Sequence, residues 1–541
     1  MEHYLIENAL SYPILTVLIL VPLIGAGVTL FLKSDLMIKA WGLMVTVLTA
    51  ALSLPLFFNW DFQTPKYQFA QLSEWFPILH LNYVVGVDGI SVLLVLLTTF
   101  VMPLCILCSW TYIKTRFKEF VLVTLLMETA MIGVFISLNT VLFFVFWEAM
   151  LVPMYLLIAI WGGERKDYAS IKFFLYTLLG SIFLLVSIVA LYVKTGTFFI
   201  PELMTHTYSF GFQMWIFLAF TLAFAIKVPM FPFHTWLPAA HVEAPVAGSV
   251  ILASILLKMG GYGFLRFCLP MAPAATNYCM PYLILFSVIS IVVGGYLALG
   301  QSDIKKLIAY SSVGHMGFVT LGIFLLSDEG LKGAMMQMIN HGVTTGALFI
   351  LVGIIYERTH SREIADNSAL GMLMPAYVTF LVLFSLASFG FPGTNGFVGE
   401  FLVLLAVFKT HKVAGAFSIV GAILAAAYML RLVQKMVWSD SDGHAHHDHG
   451  DGHGDSHGGH HALYDLNMRE AGTLIFLLCF VFWIGLNPKP LLDVMDVSVT
   501  HLLQQVSDGA QIIPTGGEHG GGHHASLMEW GQNIKQFFAF R

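Results

Sequence analysis

The chain has 541 residues, of which 57% are hydrophobic and only 11% are charged, and its formal net charge is −6 at pH 7. A soluble globular domain carries roughly 25% charged residues, because its surface must be solvated. With a mean hydropathy of +0.80, this composition excludes a soluble globular protein. Apolar runs of about 16–20 residues recur along nearly the whole length, which is close to what a helix needs to cross a hydrocarbon core of ~30 Å. The sequence therefore predicts an all-α integral membrane protein.

Hydropathy predicts about fourteen membrane-spanning helices. The predicted spans lie near residues 13–32, 38–58, 88–111, 119–137, 141–161, 172–193, 213–232, 246–267, 281–300, 304–326, 333–356, 372–408, 414–437 and 470–487. The span 372–408 is expected to be broken, because Pro392 and Gly393 precede a short helical stretch, Gly396–Phe408. The first apolar run lacks the small-residue cleavage site of a secretory signal, so we expect it to be retained as a helix.

Lysine and arginine are concentrated in alternate loops of this predicted topology, for example at Lys114, Lys305 and Arg358. Cytoplasmic loops of membrane proteins carry an excess of these residues. The bias places the N-terminus on the outer, periplasmic side, and an even number of spans places the C-terminus there as well. Lys227 and Lys258 belong to neither side, because both fall within predicted spans.

Cofactor-binding patterns are absent from the sequence. The five cysteines include one C-x-x-C, Cys105 and Cys108, which lies in an apolar helix without a second pair. We interpret these cysteines as small packing residues rather than as redox or iron–sulfur ligands. Neither a dinucleotide-binding nor a P-loop glycine motif occurs. No cofactor and no nucleic-acid partner are expected for this chain, and any redox chemistry that it serves must take place elsewhere.

Two segments depart from the membrane pattern. Ser441–His461 is rich in histidine, glycine and aspartate, and Glu518–His524 adds further histidines. Such a composition cannot form a packed core, so a solvated loop and tail are expected. Clustered imidazoles bind Zn²⁺ or Ni²⁺ weakly, but no fixed ligand spacing indicates a dedicated metal site.

Ionisable residues within apolar spans are energetically costly, and each is therefore a candidate functional residue. Glu148 lies in the aromatic stretch FFVFWEAMLVP and must be paired, hydrated or protonated there. Lys227 is followed by Pro229 and Pro232, which break the helix and free backbone carbonyls at membrane depth. Broken helices are tolerated there only where they line a protein-buried or water-filled cavity. The lysine is thus placed to meet water.

Two further charges share this setting. Lys258 follows the apolar stretch Val246–Leu257 and precedes Gly260 and Gly261, and Glu400 follows the helix break at Pro392. A lysine whose acidic partner can approach or withdraw is a proton site with switchable affinity. The alternative for all four charged residues is a set of static ion pairs.

Histidines accompany these charges in the predicted spans. A membrane histidine can transfer protons near neutral pH, since its unperturbed pKa is about 6.5. The alternative is a structural hydrogen bond to a neighbouring helix. The candidates are His234, His241, His315 and His341, with Glu243 and the pair Ser311 and Ser312 nearby.

The two halves of the chain each contain a Phe-Pro helix break, at Phe231-Pro232 and at Phe391-Pro392. Interrupted helices in corresponding positions of two halves indicate transport sites built from repeated units.

Five long stretches carry a close resemblance to a known family. They are FFVFWEAMLVPMYLLIAIWGG (143–163), IKVPMFPFHTWLPAAHVEAPVAGSVILASILLKMGGYG (226–263), SDIKKLIAYSSVGHMGF (302–318), MMQMINHGVTTGALFILVGIIYERTHSREI (335–364) and FPGTNGFVGEFLVL (391–404). The chain resembles the antiporter-like membrane subunits of complex I, the proton-pumping NADH:quinone oxidoreductase, which are related to Mrp sodium/proton antiporters. The resemblance covers most of 84–437.

The resemblance implies fourteen transmembrane helices with two inverted five-helix repeats, each containing a broken helix, around a central polar axis. It divides the chain into N-terminal transmembrane helices (1–118), a first repeat (119–268), a second repeat (281–437), a His-rich cytoplasmic loop (438–469), a last transmembrane helix (470–487) and a polar C-terminal tail (488–541).

The resemblance also assigns roles. Glu148 matches the family's essential glutamate, paired with the lysine at Lys227. Lys258 matches the lysine that connects two half-channels, Glu400 the terminal ionisable site, and His315 and His341 the histidines of the polar axis. The L-type relatives carry lysine at the Glu400 position, so glutamate there favours the M-type.

The implied function is proton translocation in the bacterial inner membrane, by a subunit without a redox centre of its own. Quinone, FMN and iron–sulfur clusters are expected in partner subunits, and L-type and N-type antiporter-like subunits are expected neighbours. The alternatives are an Mrp-type antiporter subunit, a membrane-bound hydrogenase subunit, and a scaffold whose charges only hold helices together.

Overall fold

A computed structural model of the chain describes residues 2–7, 10–76, 81–438 and 464–511. The histidine-rich stretches Ser441–His461 and Glu518–His524 lie outside these residues, so the interpretation of both stays a prediction.

Helices account for most of the described chain. In chain order they are α1 (Ile14–Thr29), α2 (Asp35–Ser53), α3 (Pro55–Phe58), α4 (Val92–Ser109), α5 (Phe117–Ile136), α6 (Thr140–Ala149), α7 (Leu151–Trp161), α8 (Lys166–Thr195), α9 (Ile200–Leu203), α10 (Phe210–Lys227), α11 (Trp236–Glu243), α12 (Val246–Ile251), α13 (Leu257–Gly263), α14 (Leu269–Met271), α15 (Pro273–Leu299), α16 (Ile304–Phe324), α17 (Asp328–Thr359), α18 (Leu370–Leu373), α19 (Pro375–Ser388), α20 (Asn395–Thr410), α21 (Lys412–Trp438), α22 (Met468–Leu486) and α23 (Lys489–Gln511).

Twelve segments of the described chain are long and apolar enough to cross a membrane, and α1 and α19 are shorter apolar helices. Together they correspond to the spans expected from hydropathy, and the helical membrane fold is confirmed. Large apolar side chains remain exposed along one face of α8, among them Leu175, Leu179, Ile182, Val186 and Val189. Such a face is unfavourable in water and matches contact with lipid.

Several helices begin at residues that satisfy the free amide groups of the first turn. The side chain of Asn139 accepts hydrogen bonds from the backbone of Val141 and Leu142 at the start of α6. Asp303 does the same at the start of α16, and Asn467 forms a capping box with Glu470 at the start of α22. The first two caps fix the starts of the helices that carry Glu148 and His315.

Both predicted helix breaks are present. Helix α10 ends at Lys227 and α11 resumes at Trp236, while α19 ends at Ser388 and α20 begins at Asn395. In the second break Gly390 and Gly393 have φ of +74° and +91°, a backbone conformation that only glycine adopts without strain.

Two irregularities were not evident from the sequence. The fifth predicted span is divided at Met150 into α6 and α7, directly after Glu148. Two π-helical turns, Leu252–Leu256 and Phe264–Cys268, interrupt the span that carries Lys258. Such turns in membrane-depth helices leave backbone carbonyls available to side chains.

A small sheet and an amphipathic helix add to the helical fold. Strands β1 (Leu5–Glu7), β2 (Tyr67–Phe76) and β3 (Leu81–Val87) form a sheet in which β1 and β2 are parallel and β2 and β3 antiparallel. Helix α23 occupies the first part of the predicted polar tail and buries one apolar face, including Val494, Met495 and Val499. Hydropathy alone overlooked both elements, because the strands are short and the 23 residues of α23 are apolar on one face only.

Candidate functional site

The second half of the bundle holds a buried cluster centred on Glu400. Its Oε1 atom lies 2.8 Å from His315 Nδ1 and accepts a hydrogen bond from Gln337 Nε2 at 3.0 Å. On the other side of the imidazole, His315 Nε2 lies 3.4 Å from the hydroxyl of Tyr428 and 3.5 Å from that of Ser388. Glu400 stands at the start of α20, directly after the glycine-rich break. The break therefore brings a carboxylate from the end of one half-helix against α16 and α17.

A second buried contact joins the middle of the chain to this cluster. The ammonium group of Lys258 lies 2.7 Å from His341 Nδ1 and also donates to the backbone carbonyl of Ala253 at 2.5 Å. Ala253 belongs to the π-helical turn Leu252–Leu256, so the irregular turn supplies the carbonyl. A buried lysine thus has two acceptors at membrane depth, as a buried charge requires.

These two contacts form one row. The ring centroids of His341 and His315 are 5.8 Å apart. Lys258, His341, His315 and Glu400 therefore follow one another from α13 through α17 and α16 to α20, and all four are buried. Ionisable groups that alternate donor and acceptor capacity at such spacing can pass protons by short steps, directly or through one water. We call these four residues the polar row.

Glu148 and Lys227 do not form the direct ion pair that the resemblance implies. Glu148 is partly buried, and its buried Oε1 has no hydrogen-bond partner among the described residues. The ammonium of Lys227 instead lies 5.1 Å from the centre of the Trp147 ring, in cation–π geometry. Trp147, the residue before Glu148, is thus the residue of α6 that contacts the lysine.

His234 and His241 lie outside the polar row. His234 is buried in the turn between α10 and α11, stacks on Phe231 at 5.7 Å between centroids, and leaves Nδ1 without a partner among the described residues. His241 is fully buried against Phe349 at 4.5 Å, and neither of its ring nitrogens has a described partner. The structure places His234 at the helix break, as the sequence predicts, but does not connect it to Lys258.

A charged cavity of about 770 Å³ opens near the predicted cytoplasmic ends of the helices. Phe349, which contacts His241, lies in its wall, together with Lys305 and Glu243. The cavity reaches toward the buried histidine from the side that carries most of the basic loops. The cavity therefore ends at Phe349, one side chain away from the buried His241.

The sequence analysis missed several buried polar residues. Lys305 was assigned to a loop, yet it is buried and donates to the carbonyl of Ala244 at 2.5 Å. Arg266, near the end of the predicted span 246–267, forms a buried salt bridge with Asp88 at 2.6 Å. Glu128 is fully buried in α5. Its signal, a lone carboxylate in an apolar span, is the one that singled out Glu148. Among the residues that the structure describes, no group of three or more histidine, cysteine, aspartate or glutamate side chains could hold a metal ion.

A bundle of broken membrane helices with a buried row of lysine, histidine and glutamate defines a transmembrane subunit of the proton-transporting type. Residues 137–425 match the family described as NADH:quinone oxidoreductase/Mrp antiporter, transmembrane. NADH-quinone oxidoreductase subunit M of Rhodobacter capsulatus is 43% identical over 510 residues, which cover 91% of this chain and 96% of the relative.

Solved structures of related membrane complexes have the same fold. A chain of respiratory complex I from Thermus thermophilus superposes with a TM-score of 0.79 and 30% identity, over 90% of this chain and 99% of that one. A chain of the Mrp complex from Dietzia matches with a TM-score of 0.77 but only 20% identity, over 97% of this chain and 55% of that one, and shows the shared fold alone. The chain belongs to the family of membrane subunits found in NADH:quinone oxidoreductases and Mrp antiporters, and within it to the subunit M relatives. This confirms the family expected from the sequence, while the inverted repeats stay a prediction.

Proposed function

We propose that this chain is the M-type proton-translocating subunit of a bacterial NADH:quinone oxidoreductase. The observation that carries the proposal is the polar row, which runs through four separate helices without leaving the buried core. Glu400 ends the row as glutamate, as expected of the M-type. Protons would move along Lys258, His341, His315 and Glu400 in short steps, each between groups that exchange donor and acceptor roles.

The first half of the bundle would supply protons to the polar row. Glu148 and Lys227 lie on neighbouring helices, and each lacks a strong direct partner of opposite charge in this arrangement. An isolated charge is unstable in an apolar surrounding. If the two groups moved closer together, the charged form of each would be favoured, so a small movement would change the proton affinity of both. His234 stands beside the helix break next to Lys227, and the charged cavity at Phe349 provides a route for water.

The chain would act without a redox centre of its own. Quinone, FMN and iron–sulfur clusters would belong to partner subunits of the complex, and quinone reduction there would drive the helix movements here. The neighbours would be the L-type and N-type antiporter-like subunits within the bacterial inner membrane, with both termini of this chain on the periplasmic side. An Mrp-type or hydrogenase assembly is the alternative, which the subunits that copurify with the chain would distinguish.

The test is a substitution at the start of the row. Lys258→Met keeps the length of the side chain and removes the ammonium, so the row loses its first proton carrier. We expect the complex to assemble and to reduce quinone, while NADH-driven acidification of vesicles falls about tenfold or more. The matched control is the exposed Lys489→Met, which should pump like the parent. A Lys258→Met complex that pumps normally would show that the row only holds helices together.

A further inference from the structure

A carboxyl group outside the polar row lies in the middle of α5. Glu128 is fully buried, and neither of its carboxylate oxygens has a hydrogen-bond partner among the described residues. Leaving an ionised carboxylate without a partner in an apolar interior costs many kcal/mol, so such a group is neutral or exchanges its proton. Carboxyl groups within membrane spans are rare and costly, so each is a candidate functional residue.

The surroundings of Glu128 are almost uncharged. Cys105 on α4 is an ionisable side chain close enough to interact with its charge, and Cys108 is the other on that helix. Of the other helices packed against α5, α1 has no ionisable side chain, and α2 has only Asp35 and Lys39 near its N-terminal end. Helix α7 carries Tyr155, and α13 carries Lys258 and Tyr262. Lys258 donates to Ala253 and contacts His341, so no basic residue of these helices has a described contact with the carboxylate.

Helix register brings hydroxyl groups to the depth of Glu128. Gly42 on α2 faces Val121 on α5 and Ile106 on α4. Helices α2 and α5 are parallel, so equal steps from this contact reach the same depth. Two turns further on, α2 reaches Thr49 and α5 reaches Glu128. Two turns along the antiparallel α4 lead to its threonine pair, Thr98 and Thr99.

These hydroxyl groups are able to accept a hydrogen bond from the O–H of a protonated carboxyl group. Thr49 donates to the carbonyl of Val45 at 2.9 Å, and Thr98 donates to that of Leu94 at 2.7 Å. Each hydroxyl oxygen thus retains lone pairs, and a neutral carboxylic acid has one O–H to donate. Neither carboxyl oxygen has a described partner in this arrangement, so the ionised form of Glu128 lacks a donor, while the hydroxyl groups at this depth are available to the protonated form after a small movement.

Glu128 is close in depth to Glu148 but faces another way. The contact of Gly133 with the Phe146 ring sets the register of the antiparallel helices α5 and α6. With a rise of 1.5 Å per residue, Glu128 and Glu148 then differ by about 4.5 Å in depth. Glu128 faces α4, whereas Gly133 faces α6. The two carboxyl groups are therefore separate sites, on different faces of adjacent helices.

We propose that Glu128 is a second proton-binding carboxyl group of this subunit, separate from the polar row, which exchanges its proton during turnover. In the neutral form the carboxyl group keeps its O–H proton. On release the O–H bond breaks and the proton passes to a water molecule, which leaves a carboxylate, and the reverse transfer restores the acid.

Infrared difference spectroscopy of the assembled complex tests the proposal. Spectra are recorded before and after NADH addition, in the parent and in Glu128→Gln, which replaces the neutral acid by an amide of the same shape. We expect a C=O band of a protonated carboxyl group in the parent, shifted in D₂O and lost in the variant. Pumping should fall at least about twofold while quinone reduction is kept. Glu119→Gln, at the surface end of the same helix, should retain both the band and the pumping.

Other outcomes overturn the proposal. An unchanged difference spectrum together with normal pumping in Glu128→Gln means that Glu128 is a permanently neutral acid. A band that responds to sodium instead of D₂O means that the site binds a metal cation rather than a proton. Glu128→Asp serves if the glutamine variant does not assemble: it keeps the acid, so the band should shift in position, and a band that does not move contradicts the assignment.

Discussion

The Nδ1 atom of His341 lies 2.7 Å from the ammonium nitrogen of Lys258, and both side chains are buried. A protonated lysine has three donors and no acceptor, so His341 Nδ1 must accept when Lys258 is charged. A proton cannot occupy both sides of this contact without repulsion between two buried cations. We therefore propose that the pair shares one proton, and that its transfer to the imidazole is the first step toward His315.

Two substitutions of His341 separate proton transfer from structure. His341→Gln offers Lys258 a carbonyl acceptor of similar reach but cannot be protonated, whereas His341→Ala removes the acceptor altogether. We expect both complexes to lose most of their pumping, by about tenfold. If the contact were only structural, the glutamine variant would pump like the parent and the alanine variant alone would be impaired. Vesicle acidification, recorded together with the quinone reductase rate, distinguishes the two.

Glu400 is expected to respond differently to its two conservative replacements. Glu400→Gln retains an oxygen that can accept from His315 and Gln337 but abolishes the exchange of a proton, so pumping should be nearly lost. Glu400→Asp keeps the carboxyl group at shorter reach and should retain a measurable part of the activity. The measurement is the number of protons moved per NADH in vesicles. Equal pumping by the glutamine variant and the parent would place the end of the row elsewhere.

Glu148 is the candidate whose predicted partner is not in contact. Because its buried oxygen has no described partner, Glu148→Gln should leave the complex assembled and lower coupled pumping by about tenfold. Glu148→Asp should be milder, since it keeps the charge. Normal pumping in the assembled glutamine variant would contradict a role for the carboxylate.

Sequence reasoning found the residues of the polar row but not how they meet. Lys258, His315, His341 and Glu400 were evident because a charge or an imidazole within an apolar span is rare. The order in which they touch depends on the π-helical turn at Leu252–Leu256 and on the crossing of four helices, and neither leaves a periodic signal. For Glu148 and Lys227 the reverse holds. The family resemblance implies that they pair, but in this arrangement the Trp147 ring, and not the Glu148 carboxylate, contacts the ammonium of Lys227.

The helical spans were predictable because hydropathy depends only on composition over a long window. The sheet was not predicted because its strands are short, and helix α23 was not predicted because polar residues on its other face offset its apolar face. Glu128 has the same sequence signal as Glu148, a lone carboxylate in an apolar span. It lies in the regular helix α5, away from the helix breaks that mark the other candidates.

The histidine-rich stretch supports a prediction from composition alone. Deleting Asp442–His461 should leave assembly and pumping nearly unchanged, because a sequence of histidine, glycine and aspartate cannot pack into the bundle. Blue-native electrophoresis and vesicle acidification check this. Loss of the assembled complex, or a stoichiometric metal bound with sub-micromolar affinity, would show that this segment has a dedicated role.

Lys227 provides the test of a charge switch in the first half of the bundle. Its ammonium lies over the Trp147 ring, a weak partner compared with a carboxylate, so it needs the approach of Glu148 to hold its proton firmly. A guanidinium does not deprotonate at accessible pH and stacks well on aromatic rings. Lys227→Arg should therefore assemble and keep the cation–π contact, yet pump about tenfold less than the parent. Lys227→Ala should be at least as damaging, since it leaves Glu148 without a basic partner. Both are measured with a pH-sensitive dye in vesicles, and the quinone reductase rate serves as the control for assembly. If the arginine variant pumps as well as the parent, Lys227 is a fixed charge and no proton passes through it.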